Sequence, residues 1–258
     1  MSVLIAMAVY STEENKKDEC LAKTLKSLDE TVDLKKHKLR LSVNGATDET
    51  KKLIRYHSNI IDKVFWNESN LGTAEAINLV WREREPGQHC IKMDDDVVIH
   101  QAGWIELMCE AIAREPKLGI VGLKRKDCWE RPWETSFEKK SELIYLPQEP
   151  GEKCIIVEAA NHVMGTCQMY NSDLLDKMGY LFQPCKYGYD DVLASWRSHA
   201  GGFKNVFIPY IEIDHIDDGK TPYQIWKENH SKEVQKLVEN IAHEYRNGSR
   251  SIYYNPFL

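Results

Sequence analysis

Apolar runs typical of strands alternate with amphipathic segments typical of helices through the first half of the chain. Residues 3–10 form an apolar run expected of a buried strand, and the next segment carries Leu21, Leu25 and Leu28 at helical spacing. The same order recurs in predicted strands over 38–43, 63–66, 89–93 and 118–123, and in predicted helices from about 48, over 73–84 and over 103–114. Regular alternation of this kind predicts an α/β fold with a mostly parallel central sheet flanked by helices.

The alternation stops at residue 124, where a charged and aromatic stretch runs to residue 153. A connection of this length is either a lid or acceptor loop, or a surface excursion whose tryptophans pack on the sheet. Predicted strands return over 154–157, 163–170 and 206–209, the last leading to residues 213–215, and a predicted helix opens at 186–191 and stops at 200–202. A last predicted helix covers 222–246 and carries on one stripe Val234, Leu237, Val238, Ile241 and Tyr245. We expect a main domain over 1–220 and a helical extension over 221–258 packed on the same domain.

The composition is that of an ordinary globular protein. The 258 residues, 42% hydrophobic and 29% charged, are sufficient to build a core. A net charge of −6 argues against broad attraction to nucleic acid or anionic lipid. The seven cysteines are scattered without any C-x-x-C pair, which fits reduced thiols better than disulfides or a zinc site. With no apolar run of about 18 residues and no basic leader, we expect a cytoplasmic protein without integral membrane contact.

Three consecutive acids, Asp94, Asp95 and Asp96, interrupt strand-forming residues at 91–99. Adjacent carboxylates repel one another and are costly to bury, and a bound cation removes that conflict. If the chain is extended there, Asp94 and Asp96 project to one side and Asp95 to the other. The pair then suits a divalent metal carrying a phosphate ligand. The alternative reading of this short and common pattern is a solvated acidic turn at a strand end.

Polar turns follow two other predicted strands, at Asn44-Gly45 and at Asn70-Leu71-Gly72. In a parallel sheet with right-handed crossovers these turns and the three aspartates fall on one edge. Ligands of open α/β sheets bind outside the carboxyl ends of the strands. The sequence therefore predicts a ligand site at this edge.

These motifs, in this order, resemble family 2 glycosyltransferases with the GT-A fold, over roughly residues 3–216. The resemblance lies in a V-x-N-G-x-T-D-x-T-like pattern at 43–50, an N-x-G-x-A-x-A-x-N-like pattern at 70–78, D-x-D followed by Gly103-Trp104, a small-residue strand at Gly165, the acids Asp190-Asp191 after Gly188-Tyr189, and a late His215. The family usually has an aspartate at the end of its second strand, whereas this chain has Val43 and then Asn44. The nucleobase of the donor therefore stays open.

The resemblance implies inverting transfer of a sugar from a nucleotide diphosphate, with a UDP-sugar as the expected donor and manganese or magnesium as the expected metal. Asp191 is then the expected general base, with Asp190 beside it, and Asp96 and His215 are the expected metal ligands. Asp94 reaches the metal shell or the ribose. The remaining residues that the resemblance assigns to the donor are Ala8, Tyr10, Asn44, Asn70, Gly72, Asp95 and Gly165.

Several alternatives stay open at this stage. Asp190 and Asp191 could simply cap a helix, and His215 could be a structural histidine. A sugar-phosphate nucleotidyltransferase would carry a glycine-rich, arginine-containing loop after the first strand, which residues 9–13 lack. A binding module that kept a nucleotide-sugar pocket without catalysis is a further alternative. The acceptor could be a saccharide, a protein or a small molecule, and modified phage DNA is a minor alternative suggested by the basic residues Lys124, Arg125, Lys126 and Arg131.

Overall fold

A single mixed β-sheet runs through the computed structural model, which describes residues 2–15, 17–127, 142–217 and 222–258. Its ten strands are β1 (Leu4–Tyr10), β2 (Lys38–Gly45), β3 (Lys63–Trp66), β4 (Cys90–Met93), β5 (Val97–Ile99), β6 (Leu118–Arg125), β7 (Leu143–Tyr145), β8 (Ile156–Ala159), β9 (Cys167–Tyr170) and β10 (Lys204–His215). The strand order is β3-β2-β1-β4-β9-β6-β10-β8-β7, and β5 pairs with β10.

The first half of this sheet is parallel, as the alternating pattern predicts. β1 pairs in parallel with β2 and β4, and β2 pairs in parallel with β3. β9 then enters between β4 and β6 and runs antiparallel to both, and β10 is antiparallel to β5 and β8. The α/β class with flanking helices is thus confirmed, and the sheet is mixed because β9 is antiparallel to both of its neighbours whereas β10 is parallel to β6.

Seven helices lie in the described parts of the chain. Their limits are α1 (Asp18–Thr31), α2 (Asp48–Tyr56), α3 (Thr73–Trp81), α4 (Trp104–Arg114), α5 (Ser172–Met178), α6 (Asp190–Ala200) and α7 (Pro222–Arg246). Thr47 starts α2 with a capping box, since its hydroxyl accepts the backbone N–H of Thr50 and its own N–H is bound by the Thr50 hydroxyl. Leu21, Leu25 and Leu28 are buried in α1, as their spacing predicts.

The two faces of the sheet carry separate apolar clusters. Residues Val3, Ile5 and Met7 of the first strand segment pack in one cluster, and the alternating residues Leu4 and Ala6 pack in the other. This is the two-residue period of a strand that is covered on both faces. β1 therefore is an interior strand, between β2 and β4, and its carboxyl end opens onto the site described below.

Helix α7 packs on helix α6 through one narrow stripe. Val238, Ile241 and Tyr245 are buried there, in a cluster that also contains Leu193 of α6. The prediction that Leu237 shares this stripe is wrong, because its side chain is 48% exposed. Neighbouring helical positions differ by about 100° in direction, and the burial of Val238 turns Leu237 toward solvent.

Strand β10 is longer than the sequence predicts and irregular in the middle. The strand predicted over 206–209 extends through residues 213–215 as one strand of 12 residues. Its pairing with β6 shifts register between Ile208 and Glu212, where Pro209 could not donate to a regular ladder. Conversely, the strand predicted over 163–170 begins only at Cys167, and Gly165 lies in a turn before it.

Candidate active site

A cleft with a volume of about 690 Å³ opens at the carboxyl ends of β1, β2 and β4. It gathers every site residue that the sequence and the resemblance select, namely Ala8, Tyr10, Asn44, Asn70, Gly72, Asp94, Asp95, Asp96, Gly165, Asp190, Asp191 and His215. Charged residues that no motif selects also line it, and these are Lys17, Lys92, Arg125, Asp127, Lys186, Asp217 and Lys227. The predicted ligand edge of the sheet is therefore a single, strongly charged cleft.

The three consecutive aspartates do not continue the extended strand. The chain turns at Asp95 and Asp96 before β5 begins, so the prediction that Asp95 points away from its neighbours is wrong. The turn is held by Thr24, whose hydroxyl donates to the Asp95 carbonyl at 3.1 Å and accepts the Val97 N–H at 3.0 Å. Burial and the neighbouring carboxylates raise the pKa of Asp95. One Asp95 carboxylate oxygen accepts the backbone N–H of Tyr10 at 3.3 Å.

A buried lysine joins the aspartate turn to the acid pair of α6. Lys92 Nζ lies 3.2 Å from Asp94 Oδ1 and 3.2 Å from Asp190 Oδ2, and it donates to the Gly165 carbonyl at 2.9 Å. Burial alone would lower the pKa of Lys92, but Asp190 and Asp94 outweigh burial and raise it well above its ordinary value. The lysine is therefore charged and fixes two separate elements against each other.

Asp191 stands at the start of α6 with both carboxylate oxygens engaged. Oδ2 accepts the Gly165 N–H at 2.8 Å and lies 3.0 Å from His162 Nε2, and Oδ1 accepts the Val192 N–H at 2.8 Å. Burial would raise the pKa of this carboxyl, but His162, Lys92 and the Val192 amide hold it well below the usual range. Asp191 is consequently ionised at neutral pH, as a proton acceptor must be.

Gly165 is required by this close packing. A methyl group at this position would collide with Lys92 Nζ and would lie 3.3 Å from Asp191 Oδ2. Only a glycine lets the backbone amide reach Asp191 while the carbonyl of the same residue accepts Lys92. The small residue that the resemblance selects thus has a physical reason in this chain.

The donor set near Asp96 suits a divalent cation in chemistry, although it is not arranged as a complete shell. Asp96 is 5% exposed, and its Oδ1 has no hydrogen-bond partner among the described residues, with His215 Nε2 3.4 Å away. An imidazole beside a carboxylate fits manganese, and oxygen ligands keep magnesium suitable. Within the described ranges, no three acidic, histidine or cysteine side chains are close enough to enclose a metal.

The side chain of Asn44 is occupied by the neighbouring turn. Its Nδ2 donates to the Gly72 carbonyl at 3.0 Å, and its Oδ1 accepts Asn67 Nδ2 at 3.0 Å and the Leu71 N–H at 3.3 Å. Asn44 is buried, so these bonds fix the loop that follows β3. The residue lines the cleft while stabilising its wall.

Two positive charges of the basic stretch after β6 are paired with acidic side chains in the structure. Lys124 is buried and bonds both carboxylate oxygens of Glu158, at 2.8 and 2.7 Å, and Arg125 bonds Asp127. Because both cations are paired with acids, they offer less charge to a DNA acceptor than the sequence indicates. Arg131 and the tryptophans of this stretch lie outside the described ranges.

Three residues that contact the predicted aspartates escape sequence reasoning. Lys92 leaves a faint signal, since a lysine inside a four-residue strand that is otherwise buried needs a partner. His162 and Lys17 leave none, because each lies outside a regular element and reaches its aspartate only through the fold.

Among the helices of the described ranges, none combines the length and apolar character needed to cross a bilayer.

Comparison with known proteins identifies the family and covers the part of the cleft that precedes residue 180. The model of the family described as glycosyl transferase family 2 matches residues 7–179, which include the aspartate turn and Gly165. No curated protein matches the sequence significantly.

Solved structures share the fold at low sequence identity. The mannosyltransferase PcManGT from Pyrobaculum calidifontis, solved with GDP-Man and Mn²⁺, aligns with a TM-score of 0.63 and 14% identity over 98% of this chain and 76% of its own. GalNAc-T7 with UDP, GalNAc and Mn²⁺ aligns at 0.60 and 15% over 83% and 43%. S. aureus TarS 1-349 aligns at 0.58 and 14% over 93% and 65%. The chain thus spans less than two thirds of the second and third of these structures.

Proposed function

This chain belongs to glycosyl transferase family 2 and is a glycosyltransferase with a GT-A fold, and on that premise we propose an inverting, metal-assisted mechanism with Asp191 as general base. The sugar moves from a nucleotide diphosphate to an acceptor hydroxyl in one displacement. The observation that carries the proposal is the Asp191 carboxylate, which faces the cleft, is held ionised, and is oriented by two backbone amides.

The chemistry at Asp191 requires one proton transfer. As the acceptor oxygen bonds to the anomeric carbon, its proton passes to an Asp191 oxygen, and the bond from the anomeric carbon to the diphosphate oxygen breaks. The Gly165 and Val192 amides and His162 fix the carboxylate in place. Holding the base and the acceptor in line can contribute several kcal/mol, within the roughly 7–11 kcal/mol known for well-oriented groups.

The leaving diphosphate needs positive charge nearby. Asp96 and His215 would hold a divalent cation, with Asp94 reaching the metal shell or the ribose, and such a cation would offset the charge that grows on the departing phosphate. The positive side chains of Lys227 and Arg125 line the same cleft. Lys92 keeps Asp94 and the Asp190-Asp191 turn at a fixed separation, since it contacts both elements.

The choice of donor and the limits of the domain form part of the proposal. We propose a UDP-sugar as the donor and manganese or magnesium as the metal. GalNAc-T7, solved with UDP and Mn²⁺, supports this choice, and the mannosyltransferase, solved with GDP-Man and Mn²⁺, supports the metal. We assign catalysis to residues 1–220 and a supporting role to the extension 221–258, whose helix α7 packs on α6 beside the base. The acceptor is a saccharide, a protein or a small molecule.

One incubation separates the proposal from its alternatives. The protein is mixed with radiolabelled nucleotide sugars and manganese, with and without candidate acceptors. Release of a nucleoside diphosphate supports the transferase. Release of pyrophosphate with a sugar phosphate would indicate a nucleotidyltransferase. Binding without turnover across the panel would indicate a binding module.

A further inference from the structure

The side chain of Lys17 lies within the group of carboxylates near Asp96. Its ammonium is 2.8 Å from Asp96 Oδ2 and 2.6 Å from Asp217 Oδ2, and it lines the cleft. Asp217 follows two residues after the end of β10, and Lys17 directly precedes α1. Two distant segments of the chain are thus joined through one positive charge.

This ammonium is buried and charged. The Lys17 side chain is 8% exposed, and those of Asp96 and Asp217 are 7% and 10% exposed. An ammonium within ion-pair distance of two carboxylates supplies a full positive charge to this pair of aspartates.

Asp96 makes that ion pair through Oδ2, and its other carboxylate oxygen, Oδ1, stands outside the pair. Its Oδ1 is buried without a hydrogen-bond partner in the described residues, and the His215 ring nitrogen lies 3.4 Å from it. A buried carboxylate oxygen without a partner is costly, and it points to a ligand that would complete the site. Asp96, His215 and Asp217 are oxygen and nitrogen donors of the kind that manganese prefers.

We infer that Lys17 occupies the cation position of this site, that a divalent cation must displace it from Asp96 and Asp217, and that Asp217 serves as a further metal ligand. The inference rests on the proposed function, because it concerns the metal that assists transfer. An ammonium and a divalent cation repel each other strongly at contact distance, so they do not share the same two carboxylates. The observed affinity for the metal is therefore set by the free energy of metal binding to the carboxylates less the free energy of the Lys17 ion pairs that the metal breaks.

Manganese alone is a sufficient probe, because binding to the full chain is read from the loss of the free-ion signal in electron paramagnetic resonance. Lys17→Met removes the competing charge, so we expect its Mn²⁺ dissociation constant to fall at least about tenfold below that of the parent protein. Lys17→Arg keeps the charge, and its dissociation constant should stay within about threefold of the parent. A Lys17→Met protein that binds Mn²⁺ no more tightly than the parent would overturn the inference.

The matched control is Lys23→Met. Lys23 is exposed on helix α1 and does not line the cleft, so its loss changes the net charge equally without touching the site. Its Mn²⁺ affinity should match the parent. Adding Asp217→Asn to Lys17→Met tests the further ligand, since the double variant should bind Mn²⁺ at least about tenfold more weakly than Lys17→Met. Equal affinity in these two proteins would remove Asp217 from the metal site.

A second measurement on the unaltered protein covers the case in which Lys17→Met fails to fold. A lysine-acylating reagent should modify Lys17 slowly while it is paired with Asp96 and Asp217, and saturating Mn²⁺ should speed that modification severalfold. Labelling of Lys23, followed by mass spectrometry of the same samples, should not change. Lys17 labelling that Mn²⁺ leaves unchanged or slows would contradict displacement.

Failure of the inference and failure of the proposed function give different results. Mn²⁺-dependent release of nucleoside diphosphate by the parent, together with unchanged Mn²⁺ affinity in Lys17→Met, overturns only the inference. Tighter Mn²⁺ binding in Lys17→Met without turnover of any nucleotide sugar overturns only the proposed function.

Discussion

Lys92 Nζ lies 3.2 Å from Asp190 Oδ2, and this contact joins the end of strand β4 to the start of helix α6. Both side chains are almost fully buried, at 3% and 7% exposure. Truncating one member of a buried ion pair leaves the other charge without compensation, which is far more costly than removing both. The cleft therefore depends on this pair for its shape.

A double-mutant cycle measures that dependence. Lys92→Met should lower the free energy of unfolding by about 3–5 kcal/mol, because it leaves the buried Asp190 carboxylate without its cation and also removes the partner of the partly exposed Asp94. Adding Asp190→Asn should recover at least about 1 kcal/mol relative to the sum of the two single changes. Urea denaturation of the four proteins gives these values. Strict additivity would show that the two residues do not interact.

Asp191→Asn tests the base. The amide fills the same space but cannot accept a proton, so transfer should fall by about 10²- to 10⁴-fold while donor binding stays nearly unchanged. Calorimetry gives the affinity and nucleoside diphosphate release gives the rate. Asp173→Asn is the matched control, since Asp173 is an exposed acid in the first turn of α5. Transfer by Asp191→Asn within a few-fold of the parent would move the role to Asp190.

His162→Gln tests what keeps Asp191 ionised. His162 and Lys92 depress the pKa of Asp191 against the effect of burial, so the base form persists as pH falls and is lost only at acidic pH below the ordinary carboxyl range. Without His162, the acid limb of the pH profile of kcat/KM should move upward into about pH 4 to 6. His57→Gln, outside the cleft, should leave the profile unchanged. An unshifted limb in His162→Gln would assign the histidine a packing role only.

The sequence predicts most of the fold because the decisive signals are local. The apolar runs of β1 and β2, the cap at Thr47 and the spacing of Leu21, Leu25 and Leu28 each act within a few residues. Antiparallel insertion of β9 could not be predicted in the same way, because its partners lie far away along the chain. The prediction that Leu237 is buried is wrong because a single-stripe pattern does not say which of two adjacent helical positions faces the neighbouring helix.

The site residues fall into the same two groups, those that local sequence signals select and those that only the fold brings together. Residues at strand ends, such as Asn44, Asp94 and His215, could be selected because sheet topology brings strand ends together. The partners that set their charge could not. Lys17 contacts Asp96, and His162 contacts Asp191, from irregular segments, and no local sequence pattern predicts these contacts. The electrostatics of the cleft therefore appear only in three dimensions.

Metal removal gives a further prediction. Because Asp96 and His215 would hold the cation that offsets charge on the leaving diphosphate, EDTA should abolish donor turnover and added manganese or magnesium should restore it. His215→Gln should raise the Mn²⁺ concentration needed for half-maximal turnover by at least about tenfold. Undiminished turnover in the presence of EDTA would contradict the metal assignment.

The stereochemistry of the product tests the central claim most directly, because one displacement inverts the anomeric carbon while two displacements retain it. The donor is an α-linked nucleotide sugar of gluco or galacto configuration, incubated with whichever acceptor is glycosylated, and proton NMR reads the anomeric coupling constant of the new linkage. With Asp191 as the base of a single displacement, the product is β-linked. An α-linked product would contradict the inverting mechanism and the role of Asp191 together.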